Sequence, residues 1–226
     1  VPMQAMSELL AAVDARPGSA LVACCKGIDL ERGIGPTTLI ASHCPGAEPA
    51  VLTGPSFAAD IGRQLPTALT IACADQATRL RLQTELATPV LRLYASHDPI
   101  GAELGGALKN VIALAAGIAM GAGFGESARA AVITRGFAEM LRFAATTPAE
   151  PETLNGLSGF GDLLLTATSV TSRNYRAGLA LGRGERLADG VTVEGVATAQ
   201  AVRRLAAERN IAMPLCDMVA AVTRAE

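Results

Sequence analysis

Between Leu104 and Met120 the only polar side chains are Lys109 and Asn110, set in a run of aliphatic residues and glycine. A helix that is apolar all round is buried, and a buried ammonium without a partner either loses its proton or destabilises the fold. Two readings of Lys109 follow. Either a carboxylate meets it and its pKa falls into a range useful for proton transfer, or the side chain snorkels to the surface from a helix end. Asn110 adds a hydrogen-bonding group with no structural duty in a helix interior.

Other polar groups interrupt apolar surroundings. Asp162 follows Gly-x-Gly and precedes an apolar run in GFGDLLLTATS, a place that suits a helix N-cap. Ser172, Arg173 and Asn174 stand at an apparent helix start, where free N–H groups and the positive end of the dipole bind anions. Arg173 adds a bidentate grip on a phosphate there, unless the segment is an ordinary cap with a solvated arginine. Lys26-Gly27 ends a buried strand, and Gly54-Pro55-Ser56 turns from a strand into a helix. In open α/β sheets such strand ends face the ligand crevice.

The elements that must position these groups fall into two textures. Residues 3–13 have a helical period, with Met3, Met6, Leu9, Leu10 and Val13 on one face, and Pro17-Gly18 ends it. Strands are expected at 20–26, 50–54, 66–73 and 91–96, and helices at 56–63 and 75–86. Alternating strands and helices point to an α/β layer. From residue 99 no strand is convincing. Helices are expected at 103–120 and 126–143, then near 161–168, 173–182, 194–208 and 214–224. The domain boundary is placed at Asp98-Pro99, giving an α/β domain over 1–98 and an all-helical domain over 99–226.

Composition excludes several classes. Half of the 226 residues are hydrophobic and 18% charged, which rules out a disordered chain. Aromatic residues make up 3%, Trp is absent and the net charge is −2, so neither base stacking nor a basic phosphate-binding face supports nucleic-acid binding. The five cysteines form no CxxC pair and read as buried small hydrophobes in a reducing, cytoplasmic compartment. His43 and His97 lack ligand-like spacing, so no metal site and no histidine-driven triad is expected. Residues 104–122 have the length of a membrane span, but Lys109-Asn110 and the glycines inside the segment argue against one. No basic stretch followed by an apolar one marks a signal peptide.

Seven segments in order carry a family resemblance: CKGID (25–29), LTGPSFA (52–58), GAELGGALKNVIALAAGI (101–118), GFGESARAAVITRGFAEM (123–140), GLSGFGDLLLTATS (156–169), SRNYRAGLALGRG (172–184) and VEG (193–195). Together they resemble the bacterial-type NAD(P)-dependent glycerol-3-phosphate dehydrogenases. The resemblance implies a partial Rossmann-like dinucleotide domain followed by a helical substrate domain. It further implies hydride transfer between NAD or NADP and a phosphorylated small molecule, with dihydroxyacetone phosphate and sn-glycerol 3-phosphate interconverted for glycerophospholipid synthesis. Lys109 is implied as the general acid/base at the substrate C2 oxygen, held by Asp162, with Asn110 and Thr166 lining the pocket. The same resemblance implies that Lys26 lies near cofactor and substrate, that Gly54 and Ser56 contact the substrate and that Ala58 contacts the cofactor. It implies that Ser172, Arg173 and Asn174 take the phosphate, Arg173 also reaching the cofactor, and that Glu194 holds the cofactor from the helical side. A homodimer is expected.

Departures from the pattern are plain. The family opens on a strand–GxGxxG–helix unit that cradles the pyrophosphate. Neither Gly33-Ile34-Gly35 nor Gly121-Ala122-Gly123 supplies it. With Val1-Pro2 leading at once into a helical pattern, the sequence reads as entered at the end of a strand, a fragment short of its first βαβ unit. Thr192 stands where a small aliphatic residue is usual near the cofactor. Rival readings are another β-hydroxyacid-type dehydrogenase, against which LTGPSFA and GFGDL argue, and a non-catalytic remnant.

Overall fold

The computed structural model describes residues 1–187 and 193–224. Its first part is a four-stranded sheet: β1 (Ala20–Ala23), β2 (Glu48–Thr53), β3 (Thr67–Cys73) and β4 (Leu91–Ser96), side by side in that order. Helices α1 (Met6–Ala11), α2 (Pro36–His43), α3 (Ala58–Gly62) and α4 (Gln76–Leu86) lie between and before the strands. Alternation along β2 and β3 sends Val51 and Ala72 to one face, against Met6, Leu10, Leu39 and Ile40, and Ala50, Ile71 and Cys73 to the other, against Leu82 and Leu93.

The sheet is mixed, whereas sheets of the Rossmann kind are mostly parallel. β1–β2 and β3–β4 are parallel, but β2–β3 is antiparallel, with Val51 opposite Ala72 and Thr53 opposite Thr70. Helix length explains the reversal. The five residues of α3 rise only about 7–8 Å, short of the ~20 Å needed to retrace β2. The link therefore turns at the end of β2, and β3 runs back beside it.

The second part is helical: α5 (Pro99–Gly121), α6 (Gly125–Ala144), α7 (Pro151–Asn155), a single π-turn (Leu157–Gly161), α8 (Asp162–Thr168), α9 (Arg173–Gly182), α10 (Glu194–Glu208) and α11 (Pro214–Val222). α5 is the axle around which the others pack. It begins at Pro99, earlier than its apolar period suggests, because Pro99 sits at the first helical position and Asp98 accepts a hydrogen bond from the Gly101 N–H at 2.8 Å. By length and composition α5 matches a membrane span, yet 83% of its apolar window is buried by the rest of the chain.

Three elements escape the periodicity argument: α2, α7 and the π-turn. The first has a legible start, Gly35-Pro36, but a glycine N-cap carries no oxygen to satisfy the free N–H groups. The missing acceptor comes from α5, where Glu103 Oε1 receives the Thr37 N–H at 2.5 Å.

Close backbone approach sets α9 on α5. A Cβ on Gly117 would lie 2.2 Å from the Tyr175 carbonyl oxygen, and one on Gly178 would lie 2.2 Å from that of Leu114. Larger residues at this crossing would push the two helices apart and carry the first turn of α9 away from Asn110.

Candidate active site

Lys109 lies in the middle of α5 and is 5% exposed. No snorkelling occurs. Its ammonium donates to Asp162 Oδ1, and to Thr166 Oγ1 at 2.9 Å. Asp162 and Thr166 are four residues apart on α8, hence on one face of that helix. The π-turn feeds straight into α8, so Asp162 is already inside helical geometry and its side chain caps nothing. Its second oxygen, Oδ2, accepts from the Lys26 ammonium at 2.5 Å, and Lys26 also donates to the Gly54 carbonyl at 3.3 Å.

Two ammonium groups thus share one fully buried carboxylate. Burial is the main cause that pushes the Lys109 pKa down, to about 7; the neighbouring positive charge of Lys26 adds to the fall and Asp162 opposes it. A lysine poised near neutrality can both give and take a proton. Two cations on one anion also favour a negative charge developing beside them.

Through Lys26 the cluster borders a crevice of about 560 Å³ between the strand ends and the helical part. Lys26, Ser56, Ala58, Arg173 and Glu194 line it, with Leu52 and Leu69 supplying apolar wall. A mixed lining of this kind, with a few placed polar groups, suits a ring beside a small phosphorylated molecule. Arg173 is exposed at the mouth, in the first turn of α9, where a phosphate gains from both the guanidinium and the helix end.

The remaining candidates are tied to the same place by hydrogen bonds. Asn110 Nδ2 donates to Glu194 Oε2 at 3.1 Å, and Asn174 Oδ1 accepts from the Gly195 N–H at 2.9 Å. These two asparagines hold the start of α10, and with it Glu194, against α5 and α9. Ser172 is the N-cap of α9, its Oγ accepting from the Tyr175 N–H at 3.2 Å. Its oxygen therefore has a structural duty as well as a place beside Arg173. Thr192 lies outside the described residues.

Glu103 and Thr53 are among the buried polar groups that sequence reasoning passed over. Glu103 falls just before the apolar run and reads as the first polar residue of a helix. Thr53 reads as a β-branched strand residue. Its Oγ1 is the one buried side-chain oxygen or nitrogen among the described residues with no hydrogen-bond partner. Only the threonine where a valine would fit signals it in the sequence.

Comparison with known proteins fits this geometry. The family model of the NAD-dependent glycerol-3-phosphate dehydrogenase N-terminus matches residues 1–79, and that of the C-terminus matches residues 98–226. A glycerol-3-phosphate dehydrogenase [NAD(P)+] of Cereibacter sphaeroides is 61% identical over 98% of this chain and 73% of its own length. One from Paracoccus denitrificans is 62% identical over 88% of this chain and 64% of its own length. The crystal structure of glycerol-3-phosphate dehydrogenase from Coxiella burnetii superposes with a TM-score of 0.90 at 37% identity, covering 97% of this chain and 69% of that one. The chain thus spans roughly two thirds to three quarters of these relatives' length. With both family models matched and the Lys109–Asp162–Lys26 cluster in place, the chain belongs to the NAD-dependent glycerol-3-phosphate dehydrogenase family.

Proposed function

We propose that the protein interconverts dihydroxyacetone phosphate and sn-glycerol 3-phosphate with NADH or NADPH, and so feeds glycerophospholipid synthesis. The observation that carries this reading is the buried Lys109 ammonium, held on Asp162 and Thr166 beside a crevice with Arg173 at its mouth. When bound, the nicotinamide cofactor supplies or accepts the hydride. Lys109 gives its proton to the substrate C2 oxygen in the reducing direction and takes it back in the other. Asp162 and Thr166 hold the ammonium against rotation, so the proton is delivered along a fixed line. Lys26 adds positive charge near the same oxygen, while Gly54 and Ser56 border the substrate at the end of β2. Ser172, Arg173 and Asn174 take the phosphate, and Ala58, Lys26, Arg173 and Glu194 flank the cofactor.

Residues 1–98 then act as the rest of a dinucleotide domain and 99–226 as the substrate domain, the catalytic lysine being supplied by the first helix of the latter. The protein works in the cytoplasm as a homodimer. Five free cysteines suit a reducing compartment, and Phe124, Phe160, Leu164 and Val170 offer exposed apolar surface for a second copy. The test is oxidation of NADH and NADPH by the full-length protein with dihydroxyacetone phosphate. Turnover of 3-hydroxy acids with none of dihydroxyacetone phosphate overturns the assignment, and sedimentation as a monomer overturns the dimer.

A further inference from the structure

We propose that the Thr53 hydroxyl is a ligand-binding group of the crevice, forming a hydrogen bond to an oxygen of the molecule bound there. This rests on reading the crevice as the place where a triose phosphate and a nicotinamide meet. Thr53 is the last residue of β2, 3% exposed, and it lines the crevice together with Lys26, Ser56, Arg173 and Glu194. The next residue, Gly54, offers its carbonyl to Lys26.

Position makes the missing partner informative. A Cβ placed on Gly106 would lie 3.2 Å from Thr53 Oγ1 and 3.3 Å from Lys26 Cγ. The hydroxyl and the stem of Lys26 therefore both face α5 at Gly106, about one helical turn before Lys109. A side chain at 106 would crowd both. Among the described residues nothing accepts or donates to this oxygen.

A buried hydroxyl left unpaired destabilises a fold, and nearly all such groups in native proteins are satisfied. Valine would fill the same space on the same strand, with equal liking for the β conformation and no polar atom to strand. A threonine placed here at a cost to the fold is best explained by a partner that comes with the ligand. Lys26, with a side chain 20% exposed, is the movable neighbour, and a turn of its ammonium toward a bound phosphate or carbonyl would open the hydroxyl to the crevice. As donor and acceptor in one group, the hydroxyl suits either a hydroxyl or carbonyl of the triose phosphate or the carboxamide oxygen of the nicotinamide.

Thr53→Val and Thr53→Ser in the full-length protein separate the possibilities. Steady-state kinetics gives KM for dihydroxyacetone phosphate and for NADH, and thermal unfolding gives the shift in Tm that each ligand produces without turnover. Thr53→Val is expected to raise one of the two KM values about three- to tenfold and to shrink the Tm shift from the same ligand, while Thr53→Ser restores both. The affected ligand identifies the oxygen. The Tm of the protein alone should stay level or rise by about 2–4 °C in Thr53→Val, because the stranded hydroxyl is gone. Unchanged KM values and ligand shifts would overturn the proposal. So would a lowered Tm of the protein alone, which would mean a partner within the fold. A wild-type protein that neither turns over these ligands nor is stabilised by them would instead sink the functional reading, and this inference with it.

Discussion

Helix α5 buries two ionisable side chains, Glu103 and Lys109, about 9 Å apart along its axis. Burial is the main cause that moves both pKa values toward neutrality, Glu103 up to about 7 and Lys109 down to about 7. Their settings differ in what they face. Glu103 closes the N-terminus of α2 through the Thr37 N–H and borders a cavity of about 160 Å³ beside Gly33, Gly35, Phe143 and Arg209. Lys109 is clamped by side chains from α8 and shares the Asp162 carboxylate with Lys26, which lines the larger crevice. A displaced pKa therefore marks burial first. Function needs a second condition, a proton that can reach a bound molecule, and in the proposed reading Lys109 meets it beside the crevice that Lys26 lines.

The sharpest break between the two positions is expected from Lys109→Ala. Loss of a general acid costs about 10²–10⁴-fold in kcat. The fold should survive, because Asp162 keeps Lys26 as its counter-ion and no unpaired charge is left buried. Stopped turnover with a cooperative unfolding transition near that of the wild type is the expected pair of results; near-normal kcat would remove Lys109 from the chemistry. In the wild-type enzyme the sign of the pH dependence follows from the direction of the proton. Reduction of the ketone needs the protonated lysine, so kcat/KM should fall as pH rises through about 7, and oxidation of the alcohol should rise over the same range. Profiles that move together in both directions would contradict the assignment.

The two cavities also differ in the arginine at each. Arg173 stands at the mouth of the crevice, while Arg209 stacks over Phe143 at 5.1 Å and donates to Thr146 Oγ1 at 3.2 Å beside the smaller cavity. Charged hydrogen bonds to a phosphate are stronger than neutral ones, so Arg173→Ala should raise KM for dihydroxyacetone phosphate about tenfold or more with a smaller change in kcat. Arg209→Ala should leave KM within about twofold, as expected of a residue that does not line the crevice. Equal effects would mean that the smaller cavity also serves the substrate.

Much of this contrast was readable from residue types. A lysine inside an apolar helix needs a carboxylate unless it snorkels, and Asp162 meets it; the SRN helix start reads as an anion site or as an ordinary cap, and Ser172 does cap α9. Helices α6, α9 and α10 follow the sequence almost to the residue, and α5 does so at its C-terminal end. The antiparallel β2–β3 pair was not readable, since strand direction depends on how far a short helix can carry the chain. Glu103 was missed for a related reason. Its duty is to a helix 66 residues earlier in the chain, and although Gly35 leaves α2 without a side-chain cap, nothing local shows that α5 supplies the acceptor. Nor does the sequence show that Asn110 and Asn174 hold the start of α10, because that requires the glycine-mediated approach of α9 to α5.

The smallest expected effect belongs to Glu103 and is visible in stability rather than in rate. Its carboxyl is raised from 4.5 to about 7, by burial first and with a contribution from Asp98, against the opposing hydrogen bonds from Thr37. Between those two values the folded chain holds a proton that the unfolded chain has released. Stability from this group is thus present below about pH 4.5 and is lost as pH rises through about 7. Glu103→Gln keeps an oxygen for the Thr37 N–H and removes the titration. Its Tm should therefore fall less than that of the wild type between about pH 5 and pH 7.5, by a few degrees. Glu103→Ala removes the acceptor as well, and should lower Tm at every pH by about 2–6 °C, the cost of a lost cap in a chain of this size. Both variants should keep kcat/KM within about twofold, as for other changes that touch no reacting group. A Glu103→Gln variant with parallel Tm curves would show that the carboxyl does not titrate in this window. One with a collapsed kcat would erase the distinction between a buried charge that supports the fold and one that moves a proton.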